Sequence, residues 1–406
     1  MSASTGSLDA GVANARKLDS IALAKPAAMA APRRLSVLHV FKYFRPDFTG
    51  EGLYLEKLAP RLAALGIGSS VVATVTVANP STSYPAEIGT PRLFGRPGTP
   101  GTVARLPLLL WFVRNAPHYD VVHFHSPVSR RFVLHAVAKT SGCRVVQTCT
   151  LDDGLGTMVA SYSKGYRAAA RRLCGLIDDV VAISPKLHLD SLAVLPPSRV
   201  HLVPQGVTLP QLDETGRAAL RAQWGFAEND TVLLFVGGIC ARKDVRFLVE
   251  NHPAGGTGRL RLLLVGPDLQ DGYAQELKQL VASLPYSADV MRLPYLDDPS
   301  PAYRVADAFV FASREEGFGN VLLEAMSFGL PVVSRRLPGV TDSFIAHGRT
   351  GFLFNDAEGY CRAVLDIAAQ PRLRRAVGDA ARQDVVNRYD LAKIAERYAE
   401  IYRTQG

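Results

Sequence analysis

The chain has 406 residues, 48% hydrophobic and 20% charged, with a formal net charge of +9. That is longer than one hydrophobic core usually organises, so two domains are expected, and the composition excludes a disordered chain. Its five cysteines, Cys143, Cys149, Cys174, Cys240 and Cys361, are dispersed without a C-x-x-C pair, which argues against a disulfide scaffold and fits a reducing, cytoplasmic setting.

Residues 1–34 are rich in Ala and Ser and lack the apolar run of a signal peptide; they read as a disordered extension. From Leu35 short β-rich runs alternate with helical ones, the pattern of a parallel α/β architecture. "LSVLHVFKYF" reads as a strand, and "EGLYLEKLAPRLAALG" as a helix closed at Gly66. "SSVVATVTV", "YDVVHFHS", "CRVVQTCT", "DDVVAISP" and "RVHLVPQGV" continue the strand series, with a helical "RRFVLHAVAKTSG" between the second and third. The longest apolar stretch, near "LPLLLWFV" (106–113), falls far short of the ~20 residues of a membrane span. A composition shift over residues 203–216 reads as a linker. Beyond it a second series runs through "DTVLLFVGG", "RLRLLLVGP", "DVMRLPY", "ADAFVFAS" and "GLPVVSRR". The expected organisation is an N-terminal Rossmann-like domain over 35–204, a second over 205–385, and a C-terminal helical segment, 386–406, packing back across them. Two doubly wound domains bind ligands beyond the carboxyl ends of their strands, so the cleft between them is the expected site.

Charge is uneven. Residues 1–34 carry 5 basic and 2 acidic groups, residues 35–204 carry 18 and 10, and residues 205–406 carry 23 and 25. The basic excess lies in the first half. Nucleic acid, an anionic membrane surface or a phosphate-bearing acceptor could each match it. The run "SKGYRAAARRL", with Lys164, Arg167, Arg171 and Arg172, is either a solvated helix face or part of a membrane-facing one.

The most informative stretch is "SREEGFGNVLLEAMSFGLPVV" (313–333). A strand ends, a glycine loop follows, and a helix begins that Gly329 and Pro331 close. A helix N-terminus beyond a strand end binds anions, and Gly317 and Gly319 allow close approach. Glu316 and Glu324 stand eight residues apart on either side. A nucleotide sugar offers sugar hydroxyls, a diphosphate and a ribose diol in that order, which the glutamate–phosphate site–glutamate order matches. The bland alternative is a rim acid and a helix-surface acid.

This block resembles the E-x7-E signature of retaining glycosyltransferase family 4, which has the GT-B fold. "FRPDFTGEGLYLEKLAPRLAALG" resembles that family's glycine-rich loop and first helix, "VPQGV" its linker entry, and "FVGGICARKD" its phosphate-binding loop. The resemblance implies that Glu316 holds donor hexose hydroxyls and Glu324 the ribose. It implies that Gly317, Phe318, Gly319, Asn320 and Val321 form the backbone cradle, and that Leu293 and Pro294 border the base. It further implies that Lys243 and Arg242 neutralise the leaving diphosphate beside Gly237, and that Gly50 and Gly52 bring the other domain's backbone to that phosphate. Two departures stand out. Gly238 occupies a place where the family often has Arg, and Thr150 replaces the histidine of the family's T-x-H string. Asp152 then becomes the candidate acceptor-side acid, with a helix N-cap as its alternative. His123 and His125 in "HFH" read as alternating along a strand, at most one facing the cleft, and as a poor metal site.

The implied reaction is transfer of a hexose, with retention, from a nucleoside diphosphate sugar to a lipid-linked or saccharide acceptor in surface polysaccharide synthesis. The chain has no Asp-x-Asp triplet, so neither a metal nor another cofactor is expected. Donor, acceptor and an anionic inner membrane face are the expected partners, and nucleic acid drops out. A GT-B nucleotide-sugar epimerase, or an inactive GT-B protein that only binds nucleotide sugar or a partner glycosyltransferase, are the other readings of the same motifs.

Overall fold

The computed structural model describes residues 34–45, 49–74, 83–95, 105–125, 132–150, 154–212, 216–253 and 259–404. The extension expected before Arg34 lies outside the described residues. Leu35–Gly406 forms one compact unit, built on two sheets.

The first sheet contains β1 (Leu35–Tyr43), β2 (Ile67–Thr74), β3 (Arg92–Phe94), β4 (Val121–His125), β5 (Arg144–Cys149), β6 (Asp179–Ala182) and β7 (Val200–Leu202). They lie in the order β3-β2-β1-β4-β5-β6-β7. The second contains β8 (Thr231–Val236), β9 (Leu260–Val265), β10 (Val290–Leu293), β11 (Ala308–Phe311), β12 (Val332–Arg335) and β13 (Phe352–Phe354), in the order β10-β9-β8-β11-β12-β13. All pairings between these strands are parallel. Helices cover both faces of such a sheet, so central strands such as "TVLLFV" and "AFVF" are apolar without alternation and almost wholly buried. These are the two doubly wound, Rossmann-like domains expected from the sequence.

In each sheet the strand order reverses once beside its first strand, between β1 and β4 and between β8 and β11. Such a switch point splays the following loops apart and opens a crevice at the carboxyl ends. The loop after β1 leads into the helix Gly50–Ala64, and the loops after β8 and β11 carry Gly237 and Glu316. The candidate residues therefore lie where the topology leaves room for a ligand.

The chain closes on itself through its last helix, Leu391–Arg403. Leu391, Ile394, Tyr398 and Tyr402 form one buried cluster with Val37, Tyr54, Leu58, Val121 and Val146 of the first domain. Each fully buried side chain of this size contributes roughly 1.5–3 kcal/mol of transfer free energy, so the return is a structural tie. At the crossover Val207 N–H donates to Tyr389 O at 2.8 Å and Leu391 N–H to Val207 O at 3.0 Å. Gly206 is required there, because a Cβ would lie 2.9 Å from the Leu391 backbone.

Candidate active site

The helix Asn320–Ser327 begins at Gly319, whose φ of +103° favours glycine. Just before it, Glu316 is buried, and three donors converge on its Oε1. These are Lys243 Nζ at 2.5 Å, Arg242 Nη1 at 3.0 Å and Ser313 Oγ at 2.6 Å. The loop that carries the two cations is stitched to the glutamate loop by Arg314 N–H, which donates to Arg242 O at 2.9 Å. Asp244, the one non-glycine residue with positive φ among the described residues, completes the frame. Its carboxylate accepts from Arg314 Nε and Arg335 Nη2, both at 2.9 Å. Two loops distant in sequence thus hold Lys243, Arg242 and Glu316 in one cluster, with a cation in excess.

Glu324 lies one turn into the helix. Its Oε2 accepts from Tyr303 Oη at 3.0 Å, and its Oε1 from Lys57 Nζ at 2.7 Å. Burial, and then the Glu324 carboxylate, push the Tyr303 phenol well above its ordinary range, so it stays a neutral donor. Lys57 belongs to the helix Gly50–Ala64 of the first domain, so the pair spans the cleft. Around it is a cavity of about 200 Å³ walled by Gly50, Leu53 and Tyr54 on one side and by Gly237, Asn320 and Val321 on the other.

Of the residues singled out in sequence, Gly50, Gly237, Asn320, Val321 and Glu324 line this cavity. Glu316, Lys243 and Arg242 cluster together, while Gly317, Phe318 and Gly319 form the buried loop between the glutamates. The Phe318 ring packs on Phe344, with centroids 5.1 Å apart, so its side chain anchors the loop. Gly52 N–H donates to Thr49 Oγ1 at 3.0 Å as the helix cap and is not free for a phosphate. Leu293 and Pro294 do not line the cavity; Tyr295, Leu296 and Asp297, the next residues, do. Leu293 instead ends β10 and its carbonyl accepts from Gly266 N–H at 3.2 Å. Asp152 lies outside the described residues. Ser313, Asp244, Tyr303 and Lys57 were not singled out by the sequence; of these, Ser313, Asp244 and Tyr303 lie in or beside quoted strings.

The histidine reading also changes. Residues two apart on a strand share a face, and His123 and His125 indeed face His39 of β1 together. These are the one group of three ligand-type side chains that converge among the described residues, with ligand atoms within 4.8 Å of one another. Their nitrogens are largely engaged. His39 Nδ1 and His125 Nε2 are 2.9 Å apart, and His123 hydrogen-bonds Tyr402 Oη and Thr148 Oγ1, each at 2.6 Å. Burial lowers all three, His39 to about 3. The cluster is a neutral hydrogen-bonded core beneath the last helix.

Comparison with known proteins agrees with this geometry. Residues 48–210 match the family model described as Glycosyltransferase Family 4, and residues 230–370 that described as Glycosyl transferases group 1. The D-inositol 3-phosphate glycosyltransferase of Streptomyces scabiei is 27% identical over 396 residues, covering 86% of each chain. The alpha-maltose-1-phosphate synthase of Mycolicibacterium smegmatis is 30% identical over 267 residues, 59% of this chain and 67% of that protein. The crystal structure of Anabaena HepE, in complex with UDP and glucose, superposes with a TM-score of 0.73 at 20% identity, over 90% of this chain and 99% of that one. The chain belongs to the family 4 glycosyltransferases of the GT-B fold and is a sugar-transferring enzyme.

Proposed function

We propose that the protein transfers a hexose, with retention of configuration, from a nucleoside diphosphate sugar to a lipid-linked or saccharide acceptor in surface polysaccharide synthesis. The observation that carries this reading is the cluster of Lys243, Arg242 and Glu316 on one side of a glycine-capped helix N-terminus and Glu324 on the other. Cleaving the sugar–phosphate bond leaves negative charge on the diphosphate and develops positive charge on the sugar carbon. Lys243, Arg242 and the free N–H groups of Asn320 and Val321 face the first of these charges. Glu316 is placed for the sugar hydroxyls and Glu324 for the ribose. Asn320 Oδ1, a buried acceptor with no partner in the structure, suits a ligand hydroxyl. The departing phosphate oxygen takes the acceptor's proton, and no step needs a metal ion.

Glu324→Ala should raise the dissociation constant of the nucleoside diphosphate by about 5- to 150-fold, since a buried diol without an acceptor costs roughly 1–3 kcal/mol. Glu316→Ala should leave that constant nearly unchanged and lower turnover, because its partner is the sugar. Calorimetry with the nucleotide and an initial-rate assay with the donor separate the two. Unchanged nucleotide affinity in Glu324→Ala would remove the ribose from this site.

The acceptor side carries the basic excess, and we place the protein at the inner face of the cytoplasmic membrane. No helix among the described residues is long and apolar enough to cross a membrane. On the helix Lys164–Leu173, Lys164, Arg167, Arg171 and Arg172 are all exposed. It borders an open apolar groove lined by Phe132, Val133, Ala136, Tyr162 and Tyr166. Basic side chains beside exposed apolar ones suit an anionic lipid surface, at about 1 kcal/mol per cation near the leaflet. The protein should sediment with anionic vesicles at low salt and be released at high salt. Replacing the four cations with Ser should weaken sedimentation without changing nucleotide affinity. Wild type that ignores anionic vesicles at low salt would favour a soluble acceptor.

A further inference from the structure

We propose that Lys57 is a built-in occupant of the ribose subsite, so that a donor gains Glu324 only by displacing this lysine. The inference rests on the reading that Glu324 is the ribose carboxylate. Both Glu324 oxygens are engaged in the structure, Oε2 by Tyr303 at 3.0 Å and Oε1 by Lys57 at 2.7 Å. Tyr303 is buried behind the carboxylate, whereas Lys57 reaches Glu324 through the cavity itself. A vicinal diol approaches from the cavity, so it meets Lys57 and not Tyr303.

Space gives the same answer. The cavity is about 200 Å³, below the ~300–1,000 Å³ of sites that enclose a ligand of nucleotide size. A diol cannot reach Glu324 Oε1 while Lys57 Nζ stays on it, whereas a ligand without the diol has no need to displace the lysine. Displacement is cheap, because the pair is lopsided. The Lys57 side chain is 51% exposed and that of Glu324 18%, and pairs with one partner in solvent are weak. The lysine also belongs to the first domain while Glu324 belongs to the second, 267 residues away. Breaking this contact therefore loosens one tie between the domains at the moment the nucleoside arrives.

Among the described residues lining the cavity, Lys57 is the one cation, against Asp297 and Glu324. Removing it also changes the field felt by an anionic diphosphate, so raw affinity would mix two effects. A ratio isolates the competition. The test measures dissociation constants of a ribonucleoside diphosphate and of its 2′,3′-dideoxy analogue, with the base that most stabilises the wild type. Both ligands carry the same diphosphate, and only the first needs Glu324. In wild type the ribonucleotide binds more tightly. Lys57→Met should widen that preference by about two- to fivefold, the value of an exposed pair that no longer competes. A preference that stays the same or narrows in Lys57→Met overturns the role of Lys57. A wild type with no preference for the ribonucleotide overturns the ribose assignment of Glu324 itself, and the inference with it.

Discussion

Lys243→Met is expected to lower turnover by about 10²–10³-fold, the range seen when one preorganised group facing developing charge is removed. Lys243 Nζ is 2.5 Å from Glu316 and 5.2 Å from the centre of the Phe311 ring, so the ammonium is held between a buried carboxylate and an aromatic face. That position is fixed before any ligand arrives. A fixed cation needs no reorganisation when charge builds on the diphosphate, which is why its loss should appear in the rate. Arg242 cannot fully substitute. It reaches Glu316 at 3.0 Å and also donates to Glu315 O at 2.7 Å, so it is committed to shaping the loop. The variant leaves Glu316 with Arg242 and Ser313 as partners, and some loss of stability follows from the weaker compensation of a buried charge. The double variant Lys243→Met/Glu316→Gln removes that penalty, because charge and partner go together. Its melting temperature should recover toward wild type while its turnover stays low. The two substitutions should also combine with less than the product of their separate effects on rate, since they act on one cluster. EDTA should leave the wild-type rate unchanged under the same conditions. Turnover within threefold of wild type in Lys243→Met would remove this lysine from the chemistry.

What the sequence made legible follows from burial. Parallel strands covered on both faces are apolar runs, so β1, β2 and β4–β12 could be read as runs, and their alternation with helical segments identified the architecture. β3 and β13, three residues each, stand in no longer apolar string; β7, equally short, was legible only within "RVHLVPQGV". The Gly-Phe-Gly loop was legible because its glycines answer a local demand, a positive φ at Gly319 before a helix. That the Gly52 N–H is engaged could have been read as well: Thr49, three residues earlier, is an ordinary helix cap and takes it. Tyr295, Leu296 and Asp297, which line the cavity just beyond Leu293 and Pro294, were not singled out, because the end of β10 is not marked by composition. Lys57 was beyond reach for a different reason. Its meaning depends on how two domains close on each other, and no spacing within one helix encodes that. His39 was missed because its partners lie on a neighbouring strand, in a register set by pairing, with His39 beside His123.

That histidine cluster governs how stability responds to acid. His39, His123 and His125 sit between the first sheet and the last helix, facing Tyr402 and Tyr398, with Phe41 stacked on His125 at 4.2 Å. The other titratable groups that bear on this core are the phenols of Tyr54, Tyr398 and Tyr402, all raised by burial, and Glu51, whose charge reaches Tyr398. None of the phenols ionises in the acid range. Desolvation lowers His39 to about 3 from an ordinary 6.5, and it lowers His123 and His125 well below 6.5, the neighbouring histidines adding to it. Between those limits the unfolded chain binds protons that the folded chain refuses. Stability therefore holds above about pH 6.5 and declines as pH falls toward 3, by about 1.4 kcal/mol per pH unit for each histidine that stays neutral. The free energy of unfolding in urea, measured at pH 7.5, 6.5, 5.5 and 4.5, should show this decline steepening below 6.5. His39→Gln keeps a neutral polar side chain in the cluster and removes one titrating group, so its curve should be shallower by about one proton, the remaining carboxylates and histidines being common to both proteins. Parallel curves for wild type and His39→Gln would mean that His39 takes up its proton in the folded state, and the acid sensitivity would then belong to groups elsewhere in the chain.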